Sequence, residues 1–290
     1  MNNPYLSIVI PVYNEYGVFD KVFPDIYKSL IAWNKNIEII VVDDGSTDGL
    51  VIDVNEESVR VIKHPINLGN GASVKTGIRA SKADYVLVMD GDGQHKVEDA
   101  IKLVEEMDKF DLMVGARNFN ESSGELHRNL ANKCYSHLAS YMASQKIDDL
   151  TSGLRCFHKK KVMELIHLFP NRFSCPTTMS LGMIKLGYSV GFKPIDVQRR
   201  EGTSKIKVIQ DGMRFLLIIL KVATLFSPMR VFFPMALLFF TTALINYISV
   251  LIESQRYSVW SAVFFTTSIT IFMIGLVAEE ISSLKLKKES

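Results

Sequence analysis

Between Leu6 and about Gly115, short β-branched runs alternate with longer amphipathic stretches. The runs are LSIVIPV from Leu6, IEIIVV from Ile37, VRVI from Val59, YVLVM from Tyr85 and DLMVGA from Asp111. The stretches at 17–32, 71–81 and 97–107 repeat their apolar residues at helical spacing. Nearly continuous apolar runs suit strands buried on both faces, so the alternation predicts an α/β domain with a mainly parallel sheet covered by helices. Open sheets of this kind bind ligands beyond the carboxyl ends of their strands. Three polar turns fall at such ends, after Val12, Val42 and Met89, and a site is expected there. Beyond Asn118 the pattern is less regular. Helices are expected at 128–143, 159–168 and 177–186, and a strand at 189–198; no internal repeat is visible.

The pattern changes again near the end of the chain. Phe232 to Ile252 and Tyr257 to Ala278 contain no Asp, Glu, Lys, Arg or His, and each is long enough to cross a bilayer, which takes about 20 apolar residues. In the segment before them, Lys207, Gln210, Asp211, Arg214 and Lys221 interrupt the apolar residues, and the uncharged stretch from Phe215 to Leu220 is too short to span. A basic segment with a broad apolar face fits a helix lying on the membrane surface, with an ordinary core helix as the other reading. Lys205, Lys207, Arg214, Lys221 and Arg230 precede the first span, and Lys285, Lys287 and Lys288 follow the second. The connecting loop offers only Arg256. This bias places the α/β domain and both termini in the cytoplasm. The expected division is 1–206 for the α/β domain, 207–230 for the interfacial region and 231–290 for a transmembrane hairpin with a basic tail. MNNPYLSIVIPVY lacks a basic leader and is broken by Pro11, so it does not read as a signal peptide.

Composition narrows the classes. Among 290 residues, 33 basic and 31 acidic side chains leave a formal charge of +2, which argues against nucleic-acid binding by bulk charge. With 48% hydrophobic and 22% charged residues the chain is not a disordered one. The mean hydropathy of +0.15 reflects the two C-terminal runs. Cys134, Cys156 and Cys175 are odd in number and lack C-x-x-C spacing, which supports neither a disulfide framework nor a zinc ribbon and fits a reducing compartment.

The strongest chemical pattern is Asp90-Gly91-Asp92-Gly93-Gln94-His95, directly after YVLVM. Two carboxylates one residue apart at a strand end can reach one hard cation, and the glycines let backbone approach a ligand. A calcium loop of the EF-hand kind fails on spacing, with His95 where Gly is needed and Ile101 where Glu is needed. Asp43-Asp44-Gly45-Ser46-Thr47-Asp48 follows the second strand and alone could be a helix cap. Together with Pro11-Val12-Tyr13-Asn14-Glu15, it gives three strand ends whose groups suit a base, a ribose and a diphosphate. Gly69-Asn70-Gly71 lacks the third glycine of a dinucleotide fingerprint, and Val74 stands where a P-loop needs glycine. Cys134 and His137 have no second pair to complete a zinc site.

In this order, PVYNE, VVDDGSTD, DGDGQH, VGAR at 114–117, DLTSGLRCF at 149–157 and RREGTSKI at 199–206, followed by two apolar spans, resemble the polyprenyl-phosphate glycosyltransferases. These include dolichyl-phosphate mannose synthases and bacterial undecaprenyl-phosphate glucosyl- and aminoarabinosyltransferases, inverting family 2 enzymes of the GT-A fold. The resemblance covers nearly the whole chain. It implies that Asp90, Asp92 and Gln94 hold Mg²⁺ or Mn²⁺ on the diphosphate of a UDP- or GDP-sugar. Pro11, Tyr13, Glu15, Asp43, Asp44, Asp90 and Gly91 would line the nucleotide pocket. Arg117, Arg128 and Asn132 would meet the lipid phosphate, while Arg155, Arg200, Ser204 and Lys205 would close over the phosphates. Arginine forks suit such oxygens bidentately. The chain departs from the pattern where Lys96-Val97 replaces a proline pair and where SGLR replaces SGFR.

A polyprenyl monophosphate is already an anion at neutral pH, so positioning and metal stabilisation of the departing nucleoside diphosphate suffice, with Asp92 and Arg155 in the catalytic set. Asp149 is the nearest base if one is used, and a cap of the TSG turn is its other role. A saccharide acceptor is the alternative function, and a non-catalytic sugar-nucleotide binder a more distant one. A processive polysaccharide synthase is disfavoured because neither Trp33 nor Trp260 lies in a Q-x-x-R-W context. The expected partners are a nucleotide-sugar, polyprenyl phosphate and the lipid bilayer, with no nucleic acid; a homo-oligomer is left open.

Overall fold

The computed structural model describes residues 3–52, 56–117, 136–137, 139–172, 175–197, 224–254 and 258–287. They form two compact units, 1–206 and 207–290. In the first, seven strands make one sheet: β1 (Leu6–Val12), β2 (Ile37–Asp43), β3 (Val59–Lys63), β4 (Tyr85–Val88), β5 (Leu112–Arg117), β6 (Arg155–His158) and β7 (Val190–Ile195). Their spatial order is β3-β2-β1-β4-β6-β5-β7. The first four neighbours pair in parallel, as do β5 and β7, whereas β6 runs antiparallel between β4 and β5.

The sheet is therefore mixed, and β6 is the strand that the apolar pattern does not announce. It has four residues with Arg155 and His158 at its ends, so no apolar run marks it. Its ladders to β4 and β5 on both sides supply the backbone partners that make it a strand. Because β6 is antiparallel, its beginning lies at the same sheet edge as the ends of β4 and β5. The loops after β1, β2, β4 and β5 and the loop before β6 thus converge on one edge.

Helices cover the sheet as expected. In α1 (Phe19–Ala32), Phe19, Phe23, Ile26 and Leu30 form the buried stripe. In α3 (Val97–Val104), Val97, Ala100, Leu103 and Val104 do so. Both stripes join Leu6, Ile8 and Ile10 of β1, Ile39 of β2 and Leu87 of β4 in one core. On the other face lies α2 (Asn70–Ala80), where a side chain at Gly77 would run into Val9, so the glycine lets this helix sit close on β1. The expected helix at 159–168 is a short α4 (Lys159–Met163) followed by a 3₁₀ turn at Ile166–Leu168, and α5 (Cys175–Lys185) follows.

The second unit contains α6 (Met229–Ser254) and α7 (Val259–Lys287), each long and apolar enough to cross a membrane. On α7 the buried positions Ser261, Ser268, Gly275 and Ser282 recur every seven residues, as Ala236 and Ala243 do on α6. Small residues at a seven-residue period let two helices approach closely along a shared seam. A side chain at Gly275 would meet Phe232 and Met229. Ser268 Oγ donates to the Ala236 carbonyl at 2.7 Å, and Ser258 and Ser261 both donate to Asn246 Oδ1, at 2.6 and 2.8 Å. The outward positions are large and apolar, Leu238, Ile245, Ile252 and Trp260 among them, as lipid contact requires. Most of the expected interfacial segment, residues 207–223, lies outside the described residues.

Candidate functional site

The first part of the site knits the turns after β1 and β2 together. Pro11 and Val12 are buried in register with Val42 and Asp43. Asn14 adopts φ +52°, donates its amide to Ser46 Oγ at 3.0 Å and accepts from the Thr47 amide at 2.8 Å. The Tyr16 amide donates to Asp48 Oδ2 at 2.7 Å. Tyr13 is exposed and Glu15 half-buried, with the Glu15 carbonyl accepting from Val18 and Phe19 as α1 begins.

Asp43 and Asp44 are both buried, and they do different things. Asp43 accepts from the Ser46 amide at 2.8 Å and lies 3.3 Å from Lys63 Nζ. Burial raises its pKa, but the Ser46 hydrogen bonds and Lys63 outweigh burial and hold the carboxyl below its ordinary value. Asp44 turns inward. It meets His64 Nδ1 at 2.7 Å and accepts from the Leu68 and Gly69 amides at 3.0 and 2.7 Å, while His64 Nε2 lies 3.0 Å from Thr76 Oγ1. It thus braces the loop entering α2. Gly45, at φ +72°, abuts the backbone of Ile66 and Asn67, which leaves no room for a side chain.

Beyond β4, the Asp90 side chain remains 37% exposed, with His95 Nε2 at 3.7 Å. Asp92 Oδ1 accepts from the Gln94 amide at 3.1 Å, which closes a tight turn through Gly93 at φ +72°. Gly153, from the loop before β6, packs directly on the Asp90 carboxylate. His95 is buried and its backbone bridges to Val197. Among the described residues, no group of three His, Cys, Asp or Glu side chains is arranged to hold a metal. Two carboxylates and an amide nevertheless make an all-oxygen donor set, which suits Mg²⁺ or Mn²⁺ when a diphosphate supplies the remaining ligands.

At the end of β5, Arg117 grips Asp149 in a fork: Nε to Oδ2 at 2.7 Å and Nη2 to Oδ1 at 3.1 Å, with its amide 3.2 Å from Oδ2. Nη2 also reaches Thr151 Oγ1. The Thr151 amide donates to Asp149 Oδ1 at 2.9 Å, so Asp149 is the cap of the TSG turn as well. Burial raises the pKa of Asp149, yet Arg117 and the two amides prevail and lower it overall.

Arg155 is 1% exposed and lies beneath this loop. Its Nε donates to the Ser152 carbonyl at 2.8 Å, Nη2 to Leu150 at 2.8 Å, and Nη1 to the Pro176 carbonyl at 2.7 Å and Ser180 Oγ at 2.6 Å. Burial pushes its pKa down to about 10, so it stays charged at neutral pH. Four of its five N–H donors staple the 150–152 backbone to α5, where the resemblance implied a contact to phosphates.

The sheet edge thus gathers the turns of Tyr13, Asp43, Asp90 and Asp92 and the Arg117–Asp149 pair. Arg128, Asn132, Arg200, Ser204 and Lys205 lie outside the described residues. Asn14, Ser46, Asp48, Thr151 and Gly153 are working parts of the turns that the motifs contain without being expected individually as site residues. All five lay inside motifs already noticed, so their turn-forming chemistry was the available signal. His64 had none, because its partner Asp44 is brought near only by the β2–β3 pairing.

The chain thus joins an α/β sheet with acidic turns at its strand ends to two helices long and apolar enough to cross a membrane. The profile of glycosyl transferase family 2 matches residues 7–166, more than half of the chain, and the chain belongs to that family. The GtrB C-terminal hairpin matches residues 227–284. The chain is 26% identical over 177 residues to a dodecaprenyl-phosphate galacturonate synthase of Rhizobium johnstonii, covering 57% of this chain and 52% of that protein. It is 26% identical over 189 residues to a dolichyl-phosphate beta-glucosyltransferase of Saccharomyces cerevisiae, covering 56% and 57%. The matched segment spans about half the length of these relatives. Glucosyl-3-phosphoglycerate synthase of Mycobacterium tuberculosis shares the fold, with a TM-score of 0.59 at 18% identity over 76% of this chain and 79% of that one.

Proposed function

We propose that this protein transfers a sugar, with inversion, from a UDP- or GDP-sugar to a membrane polyprenyl phosphate, with Mg²⁺ or Mn²⁺ as cofactor. The observation that carries the reading is the coupling of a family 2 domain to the two-helix hairpin within one chain. Relatives named for dodecaprenyl-phosphate and dolichyl-phosphate products support the acceptor. A fold neighbour bound to Mn²⁺ and uridine diphosphate supports the donor and metal.

In this reading Asp90, Asp92 and Gln94 hold the metal, which when bound neutralises charge on the departing diphosphate. Pro11, Tyr13, Glu15, Asp43 and Gly91 shape the nucleotide pocket, and Asp44 supports the loop beside it. Arg117, with Arg128, Asn132, Arg200, Ser204 and Lys205, receives the acceptor phosphate. That phosphate is anionic at neutral pH, with a second pKa of about 6. Its oxygen forms the bond to the anomeric carbon as the bond to the nucleoside diphosphate breaks, and no proton has to move. The catalytic domain and both termini face the cytoplasm, in line with the lysine and arginine bias around the spans.

The test is to offer purified full-length protein a panel of radiolabelled UDP- and GDP-sugars with undecaprenyl phosphate, with and without chelator. Label should enter the organic phase only with metal present. Label in a water-soluble saccharide, with none in lipid, would instead favour a saccharide acceptor.

A further inference from the structure

We infer that Asp149 is a positioning residue for Arg117 and accepts no proton during transfer. The inference rests on the proposed transfer to an anionic acceptor and assigns the division of labour within that site. A carboxylate has about four lone-pair positions. Those of Asp149 are occupied: Oδ2 accepts from Arg117 Nε and the Arg117 amide, and Oδ1 from Arg117 Nη2 and the Thr151 amide, with the Thr151 hydroxyl 3.3 Å away. A base must instead offer a lone pair to the acceptor within hydrogen-bond reach.

Exposure separates the partners further. The Asp149 side chain is 2% exposed and that of Arg117 is 21% exposed, so the face this pair presents belongs to the arginine. The carboxylate is itself anchored, because Arg155 staples the carbonyls of Leu150 and Ser152 on either side of Thr151. Gly153 of the same loop packs on the Asp90 carboxylate. One rigid loop therefore sets Arg117, which would face the acceptor phosphate, relative to Asp90, which would face the donor. Positioning of this kind acts on acceptor affinity and alignment and requires no proton transfer.

The experiment uses full-length protein in detergent with undecaprenyl phosphate, comparing wild type, Asp149→Asn, Arg117→Ala, the double variant and Arg117→Lys. Thermal unfolding and donor binding serve as fold controls. In Asp149→Asn the KM for lipid phosphate should rise about tenfold, the scale of one charge-assisted hydrogen bond, while kcat at saturating lipid and its pH profile stay near wild type. In the Arg117→Ala background the same substitution should add little, since the two residues act as a unit. Arg117→Lys leaves Asp149 in place and removes the fork, so it should also raise KM rather than lower kcat; it decides the matter if Asp149→Asn does not fold.

A fall in kcat of about a hundredfold or more with KM unmoved, the mark of a lost general base, would overturn the inference. So would an undiminished Asp149→Asn effect in the absence of Arg117. If the wild type transfers only to a saccharide hydroxyl, the acceptor reading fails on its own. With that acceptor, a kcat collapse in Asp149→Asn overturns the inference separately, and an effect confined to KM upholds it.

Discussion

Replacing Arg155 by Met tests whether this arginine is a staple or a substrate ligand. The substitution keeps an unbranched side chain and removes every donor. The carbonyls of Leu150, Ser152 and Pro176 and the Ser180 hydroxyl then lose their partner inside the protein. A hydrogen bond from a charged group is worth about 1.5–3 kcal/mol, so four such bonds set an upper scale. Removing the guanidinium also relieves the burial cost that pushes its pKa down to about 10. Each neutral oxygen left buried without a donor costs about 1–3 kcal/mol, and relief of the guanidinium's burial offsets part of the sum, for a net loss of roughly 3–5 kcal/mol. For a unit of this size that corresponds to a fall in Tm of about 6–20 °C. Arg155→Lys should recover only part of it, because one ammonium lacks the planar fork that reaches carbonyls on two sides. The assay is thermal unfolding of the full-length protein in detergent, alongside donor binding and transfer. An Arg155→Met protein with wild-type Tm and a selective loss of substrate affinity would refute the staple and return Arg155 to the phosphates.

Gly153→Ala places a methyl group against the Asp90 carboxylate; it should weaken metal-dependent transfer by about tenfold with a small change in Tm, and unchanged metal titration would count against the contact. Gly275→Leu should disrupt the α6–α7 seam at Phe232 and Met229, read as lower yield and earlier unfolding, whereas Leu at the lipid-facing Ile274 should be silent. The folded pKa values of Asp43 and Asp149 lie below their ordinary values, so the stability they add is present above the unfolded pKa of about 3.9 and is lost as pH falls through the folded value. Tm should accordingly hold from neutral pH to about 5 and drop below about 4, and Asp149→Asn should flatten part of that fall; a Tm that rises on acidification through this window would contradict the sign.

The strands and helices that carry the site were legible because their apolar residues recur at the period of the element they form, as in LSIVIPV and the Phe19–Leu30 stripe. Strand β6 was not, since RCFH owes its conformation to neighbours distant in sequence. The same distinction runs through the site. DGDGQH and DDGSTD announced themselves as polar turns at strand ends. That Asp43 pairs with Ser46 and Lys63 while Asp44 reaches inward to His64 depends on the packing of β3 and α2 against β2. The phosphate role of Arg155 came only from the resemblance of DLTSGLRCF to the family motif. Only its burial beneath the 150–152 backbone shows that carbonyl oxygens take those donors. On α7 the seven-residue recurrence of Ser261, Ser268, Gly275 and Ser282 was present in the sequence, but an unbroken apolar run drew attention to length and away from period.

Transfer to a lipid phosphate is tested most directly by the identity of the product. With purified protein, undecaprenyl phosphate, Mg²⁺ or Mn²⁺ and the donor it accepts, mass spectrometry of the organic phase should show polyprenyl phosphate increased by one sugar residue. One nucleoside diphosphate should be released for each lipid consumed, and neither product should form in Asp92→Ala protein that retains its wild-type Tm. Unmodified lipid alongside a glycosylated soluble saccharide, or transfer undiminished in excess chelator, would contradict it.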